Sequence, residues 1–302
     1  MELLHTFLNL VSFSFGFLFL GLVMPPYMAF KLITFVASFL SAEDVAGKVI
    51  LITGASSGIG EHIAYSYARR GACLALAARR EDRLQEVANK AKKLGSPKIL
   101  IIAADVSKVD DCKRMIDATI NHFGRVDHLV NNAGVPAVYY LEDFDITAVK
   151  SVMEINFWGS VYTTKFAIPH LRQSKGRIIA ISSCYGWFPS PNTIFYNASK
   201  AAMTHFFETL KINMAPDIKI TVVTPGYVHS EMTQKATKDV LNSIIGHLFY
   251  DTDACAEVIV KGACRGRKYM TVPAWYTPGT YITFLCPEMI EWILHKMLRN
   301  RS

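Results

Sequence analysis

The sequence has no Cys-x-x-Cys pair, no block of like charge and, between Glu2 and Glu43, no formal charge except Lys31. The six cysteines, Cys73, Cys112, Cys184, Cys255, Cys264 and Cys286, are scattered. Their spacing argues against a zinc module, so no metal site is expected. A chain of 302 residues is also long enough to bury a core without a disulfide framework. Reduced thiols in a cytosol-facing domain are the expectation. Basic residues outnumber acidic ones, 32 to 25, for a net charge of +7, but they occur singly or in short pairs such as Arg69-Arg70 and Arg79-Arg80. Nothing resembles a nucleic-acid module. The spread suits a mildly basic, solvated surface, or attraction to anionic lipid head groups or a phosphorylated cofactor. No internal repeat, low-complexity tract or interdomain linker divides the chain.

What is abundant is apolar sequence at the start. Residues 1–44 read as a membrane or lipid-droplet anchor preceding a catalytic domain at 45–302. Leu3 to Met24 is long enough for a bilayer-crossing helix, which takes about 20 apolar residues. Pro25-Pro26 follow, then a shorter apolar arm from Tyr27 to Leu40. A cleaved signal peptide fits poorly, because no basic residues precede the run and the run is too long. A single-pass anchor and a hairpin bent at the proline pair both remain open. Lys31, the only basic residue of the segment, leans toward a cytosolic catalytic domain. An endoplasmic-reticulum or lipid-droplet surface is the expected location.

From Ala46 onward, short apolar runs alternate with amphipathic ones. Strands are expected at Lys48–Thr53, Ala72–Ala78, Lys98–Ala103, from His128 to Asn131, at Gly176–Ser182 and at Lys219–Thr224. Helices are expected at Ile59–Arg70, Arg80–Leu94, Val109–Phe123, Lys150–Leu171 and Asn197–Asn213. This alternation predicts a single α/β domain, a doubly wound parallel sheet of the Rossmann type with helices on both faces. After Gly226 the pattern blurs, as a substrate-covering loop and C-terminal cap would. Leu241, Ile244, Ile245, Leu248, Phe249 and Tyr250 suit either a lipid pocket or ordinary core. Met232 and Tyr227 share that ambiguity. The amphipathic, aromatic stretch Tyr281–Leu298 suits core or homodimer packing, or a second membrane contact.

The first strand runs into Gly54, Ser56, Ser57, Gly58, Ile59 and Gly60 just before a helix. That context lets backbone N–H groups and the helix N-terminus take a pyrophosphate. No carboxylate stands between Glu61 and Glu81, where an NAD-binding fold places the acid that holds a ribose 2′-hydroxyl. Arg79 and Arg80 stand there instead, and a guanidinium pairs bidentately with a 2′-phosphate. NADP(H) is therefore the expected cofactor, although a solvated arginine pair at a loop would look the same. Tyr196 and Lys200 are four residues apart, which on a helix puts both on one face. An ammonium beside a phenol lowers its pKa toward a useful proton donor or acceptor. Ser183, just past a strand, is placed to hold a substrate oxygen beside Tyr196.

The spacing of the glycine loop, the run Asn131-Asn132-Ala133-Gly134, Asn156, Ser183, the Tyr196/Lys200 pair and Pro225-Gly226 occur in one order. In that order they resemble the short-chain dehydrogenase/reductase family, from roughly Gly47 to Met232. The resemblance implies a seven-stranded sheet, with Asp105 and Val106 flanking the adenine and Asn132, Ala133 and Gly134 contacting the cofactor. It also implies that Asn156 anchors a water linking Lys200 to solvent, and that Pro225, Gly226, Val228 and Ser230 meet the nicotinamide. Within the family, the apolar start with central prolines, Ala78-Arg79-Arg80-Glu81 and Val272-Pro273-Ala274-Trp275-Tyr276 resemble plant hydroxysteroid dehydrogenases of the 11-beta type, including steroleosin. That implies an alcohol/ketone oxidoreductase acting on a steroid or sterol. Reduction of another long-chain lipid ketone is the alternative within enzymes. A lipid-droplet coat protein that keeps a cofactor site is the alternative outside them.

Overall fold

A computed structural model describes residues 1–40, 42–138, 144–236 and 249–299. The chain divides into two compact units, Met1–Glu43 and Asp44–Ser302.

The first unit is one helix, α1 (Glu2–Leu40), which runs through both Pro25 and Pro26. The proline pair was expected to bend the chain. Proline lacks the N–H that would bond the preceding turn and its ring crowds that turn's carbonyl, yet the backbone is helical on either side of the pair. A hairpin with its turn at the prolines is therefore not the conformation of this segment. Leu3, Phe7, Phe15, Leu18, Leu22, Phe30 and Ile33 expose most of their surface. Among the described residues no helix is long and apolar enough to cross a membrane.

The second unit is built on seven parallel strands: β1 (Val49–Thr53), β2 (Cys73–Ala78), β3 (Ile99–Ala103), β4 (His128–Asn131), β5 (Arg177–Ile181), β6 (Lys219–Pro225) and β7 (Tyr269–Val272). Their order across the sheet is 3-2-1-4-5-6-7. The direction of travel reverses between β1 and β4, and such a switch point leaves a crevice at the strand C-termini. The helices are α2 (Gly58–Ala68), α3 (Glu81–Lys93), α4 (Val109–Phe123), α5 (Ile146–Met153), α6 (Gly159–Ser174), α7 (Ile194–Met214), α8 (Glu231–Ala236), α9 (Thr252–Cys264), α10 (Thr277–Leu285) and α11 (Pro287–Arg299).

β1 is buried at every position because helices cover both faces. Its side chains alternate between two cores. Ile50 and Ile52 pack with Leu74, Ile63, Val87 and Ile259, beneath α2, α3 and α9. Leu51 packs on the other side with Ala75, Met115, Ala167 and Phe207, beneath α4, α6 and α7. Arg69 and Arg70 anchor α2 to α9. Arg69 bonds Asp253 at 3.1 Å and Arg70 bonds Glu257 at 2.5 Å. The Arg70 hydrogen bond leads in holding the Glu257 carboxyl down at about 2.

Two elements depart from the sequence reading. The helix expected at Lys150–Leu171 is α5 and α6 joined by a π turn, Glu154–Trp158. Apolar periodicity cannot register one extra residue in a turn. β7 falls where the pattern blurred. It has four residues, with Tyr269 52% exposed at its start, too short a run to signal a strand. Beyond it, Trp275, Tyr281, Phe284, Leu285 and Trp292 are exposed. All six cysteines are free thiols.

Asp127 joins the start of β1 to that of β4. Its buried carboxylate accepts from Val49 N at 2.9 Å and from Arg125 Nε and Nη2 at 2.9 and 2.6 Å. Asp127→Ala leaves a buried N–H unpaired, so unfolding in urea should show a loss of about 1–3 kcal/mol. An unchanged midpoint would mean that water replaces the carboxylate at no cost.

Candidate active site

The turn between β1 and α2 is shaped by glycine. Gly54 has φ +66°, and a Cβ there would lie 2.7 Å from Ala133 Cα. A Cβ on Gly60 would lie 2.3 Å from Asn132 Nδ2 and 2.4 Å from Gly54 O. Gly60 therefore packs the helix against the turn rather than facing a ligand. Thr53 Oγ1 accepts from the backbone N–H groups of Asn132 and Ala133 at 3.0 and 3.1 Å. The Asn132 amide donates to Thr53 O and Gly54 O at 3.0 and 3.1 Å. Asn131 is buried and bonds Thr163 and Thr164 of α6. The run Asn131 to Gly134 thus clamps the end of β4 to the glycine turn. Ser57 caps α2 without a side-chain bond, which suits a terminus whose N–H groups receive an anion.

A cavity of about 440 Å³ extends from this turn to α7. Gly54, Ser56, Ser57, Gly58, Ile59, Arg79, Arg80, Asp105 and Val106 line it toward β2 and β3, and Asn132, Ala133, Gly134, Ser183, Tyr196, Lys200, Pro225, Gly226, Val228 and Ser230 line the remainder. Of the expected residues, only Gly60 and Asn156 stand back from it. Arg80 Nη2 donates to Ser57 Oγ at 2.8 Å and Ser56 Oγ at 3.3 Å, and Nη1 to Glu231 at 3.1 Å. The Asp105 carboxylate accepts from the Ser107 N–H and hydroxyl at 3.0 and 2.8 Å. A dinucleotide fits this donor set: a glycine-lined helix terminus at one end, two guanidiniums beside it and a wall of backbone at the other.

Ser183 follows β5 after one residue, Ser182. Its hydroxyl accepts from Tyr185 N at 3.2 Å and stands beside Tyr196, where both line the cavity. Tyr196 and Lys200 lie one turn apart in α7, with Lys200 Nζ 5.9 Å from the Tyr196 ring centre. Lys200 is 3% exposed and donates to Ile181 O at 2.9 Å. Burial pulls its pKa down to about 8. Burial also pushes the Tyr196 phenol up to about 12. The opposing pull on Tyr196 comes from the Ser183 hydroxyl, not from Lys200. The expected acidification of the phenol by its neighbouring ammonium is thus outweighed, in the protein alone, by desolvation.

Asn156 sits at the centre of the π turn, fully buried. Its Oδ1 accepts from Val135 N at 2.8 Å, and its Nδ2 donates to Val135 O at 3.1 Å and Ser199 Oγ at 3.0 Å. Both amide hydrogens are committed to protein oxygens, while Oδ1, with a single donor, keeps acceptor capacity. The side chain grips the segment after β4 at Val135 and reaches α7 beside Lys200.

A second, smaller hollow of about 90 Å³ opens beside Ser183 and Tyr196, walled by Pro136, Ala137, Cys184, Tyr185, Tyr227 and Met232. The Tyr185 and Tyr227 hydroxyls bond to each other, and the Tyr185 ring meets Tyr196 edge-on at 6.3 Å. Tyr227 and Met232, ambiguous in sequence, face this hollow. Leu241, Ile244, Ile245 and Leu248 lie outside the described residues, while Phe249 packs on Tyr227 and His229. Sequence reasoning missed Tyr185, Val135 and Glu231, and marked Tyr276 only within the Val272–Tyr276 run, without a place at the site. A Cβ on Gly226 would meet the Tyr276 ring at 2.4 Å. No motif marks the first three, because each acts through contacts made across the fold.

The family model for short chain dehydrogenase matches residues 48–241. The chain is 50% identical to 11-beta-hydroxysteroid dehydrogenase A of Sesamum indicum, across 98% of this chain and 88% of that one. It is also 50% identical to 11-beta-hydroxysteroid dehydrogenase 1A of Arabidopsis thaliana, across 97% and 87%. An alcohol dehydrogenase of the archaeon Thermococcus sibiricus, solved with 5-hydroxy-NADP, superposes with a TM-score of 0.67 at 27% identity, covering 74% of this chain and 94% of that one. The chain belongs to the short-chain dehydrogenase/reductase family, oxidoreductases that act on CH–OH groups with a nicotinamide cofactor.

Proposed function

We propose that this protein is an NADP(H)-dependent hydroxysteroid dehydrogenase that interconverts a hydroxyl and a ketone on a steroid or sterol-like lipid. The observation that carries the reading is the meeting of Ser183, Tyr196 and Lys200 between the long cavity and the apolar hollow. Arg79 and Arg80 at the end of β2, with no carboxylate from β2 beside them, support the phosphorylated cofactor. The names of the plant relatives and the apolar hollow beside Tyr196 support the substrate class.

A bound nicotinamide supplies or accepts the hydride at the substrate carbon. The protein handles the proton and the oxygen. Ser183 holds the substrate oxygen by a hydrogen bond. In reduction Tyr196 gives its proton to that oxygen; in oxidation the phenolate takes the proton back. Lys200, fixed by Ile181 O, is the next group that exchanges a proton near pH 8. Asn156 fixes the distance between the cofactor wall and α7 through Val135 and Ser199.

The exposed apolar side chains of α1 support attachment to an endoplasmic-reticulum or lipid-droplet surface, with residues 45–302 facing the cytosol. We take a second copy of the chain as the partner of the exposed aromatic residues of α10 and α11.

Four outcomes are expected. Tyr196→Phe should reduce kcat at least about a thousandfold, in line with loss of a general acid, while the NADPH dissociation constant changes little. Near-normal turnover would remove Tyr196 from the chemistry. Second, ketone reduction consumes a proton, so its kcat/KM should fall as pH rises through about 8, where Lys200 loses its charge, and alcohol oxidation should rise over the same interval. Parallel pH profiles in the two directions would contradict this assignment. Third, a panel of steroid and long-chain ketones assayed with NADPH and NADH should show turnover of steroid ketones with NADPH. Flotation with lipid vesicles should require residues 1–43.

A further inference from the structure

We propose that Glu231 is a cofactor-discriminating residue, a built-in competitor that holds Arg80 until a 2′-phosphate displaces it. The inference rests on the NADP(H) reading above and concerns a residue that plays no part in it. Arg80 spans the cavity mouth. One nitrogen reaches the serines of the glycine turn, Ser57 at 2.8 Å and Ser56 at 3.3 Å, and the other reaches Glu231 at 3.1 Å. The second Glu231 oxygen lies 4.0 Å from Arg83, which is itself bonded to Glu86 at 2.5 Å. Arg80 and Glu231 both line the cavity, Arg80 at the end of β2 and Glu231 at the start of α8, after the segment that carries Val228 and Ser230.

The chemistry of the pair sets its role. Arg80 and Glu231 side chains are 45% and 43% exposed. An ion pair in that setting is weak and readily exchanged. A phosphate monoester carries up to two charges and three acceptor oxygens, against one charge on a carboxylate. It therefore wins the guanidinium. Glu231 is then a like charge beside the phosphate and must turn away. A cofactor without the 2′-phosphate brings only its pyrophosphate, which the backbone N–H groups of the glycine turn receive, and so contests the pair less. Glu231 thus lowers affinity for the phosphorylated cofactor selectively, narrowing a preference that Arg79 and Arg80 alone would make wider.

Equilibrium titration of the full chain, read by protein fluorescence at fixed low salt, tests the idea. The probes are NADPH, NADH, adenosine 2′,5′-bisphosphate and 5′-AMP. Glu231→Gln should tighten NADPH and the bisphosphate about two- to five-fold, the range an exposed pair commands, and leave NADH and 5′-AMP nearly unchanged. In an Arg80→Ala background the same change should yield no gain. If the wild-type chain holds NADPH no better than NADH, the cofactor reading itself fails and takes this inference with it. If the wild type prefers NADPH but Glu231→Gln changes no ligand, or tightens all four equally, Glu231 is only a surface charge and the cofactor reading stands.

Discussion

An ammonium group is costly to take out of water, and Lys200 is taken out almost completely. What makes that tolerable is a single strand carbonyl, Ile181 O, 2.9 Å from its nitrogen. The carbonyl is available because β5 ends there and the chain turns away into Ser183. The C-terminal end of β5, the lysine and the serine are therefore fixed by one another. The Ser182 hydroxyl tightens the arrangement further: it donates to the Lys200 carbonyl at 3.0 Å and bonds Thr204 Oγ1 at 2.7 Å. Desolvation then works on both titrating groups in opposite senses, moving the lysine down and the phenol up. In the protein alone, the phenol is a proton donor held in reserve, and its acidity must come from what binds beside it.

How much of this is legible in sequence depends on the range of each interaction. The glycine turn, the strand alternation and the Tyr196/Lys200 spacing are local patterns, and periodicity exposes them. The parallel sheet follows from the alternation, because parallel strands need crossover helices, whereas the strand order does not. Asn156 was visible as a residue but not as a device. Its function depends on the π turn, one additional residue in a helix whose apolar spacing looks ordinary. Glu231 and Tyr185 were invisible because their partners lie 151 and 42 residues away. β7 was hidden by its shortness, and its place in the sheet depends on pairing with β6.

The two arginine pairs make the same point about charge. Arg69-Arg70 and Arg79-Arg80 are indistinguishable as dipeptides. The first closes on Asp253 and Glu257 and joins two helices on one face of the sheet. The second stands at the C-terminal end of β2, the side on which every crossover leaves its open crevice. Position relative to the strand direction, not the residue type, separates a structural pair from a ligand-facing one.

Asn156 keeps the segment after β4 in step with α7. Val135 follows the clamp between β4 and the glycine turn, and Ser199 precedes Lys200. One carboxamide holds both, with Ser199 Oγ in turn donating to Tyr196 O at 2.7 Å. Any displacement of the β4 side is transmitted through that amide to the helix that carries the proton-handling pair. A hydride and a proton must reach adjacent atoms of one substrate, and a rigid link between the cofactor wall and the phenol is what that requirement selects. The π turn is the local distortion that lets a buried amide serve as the link. A regular helix through residues 146–174 would carry its side chains in a different register and leave the carboxamide short of one partner or the other.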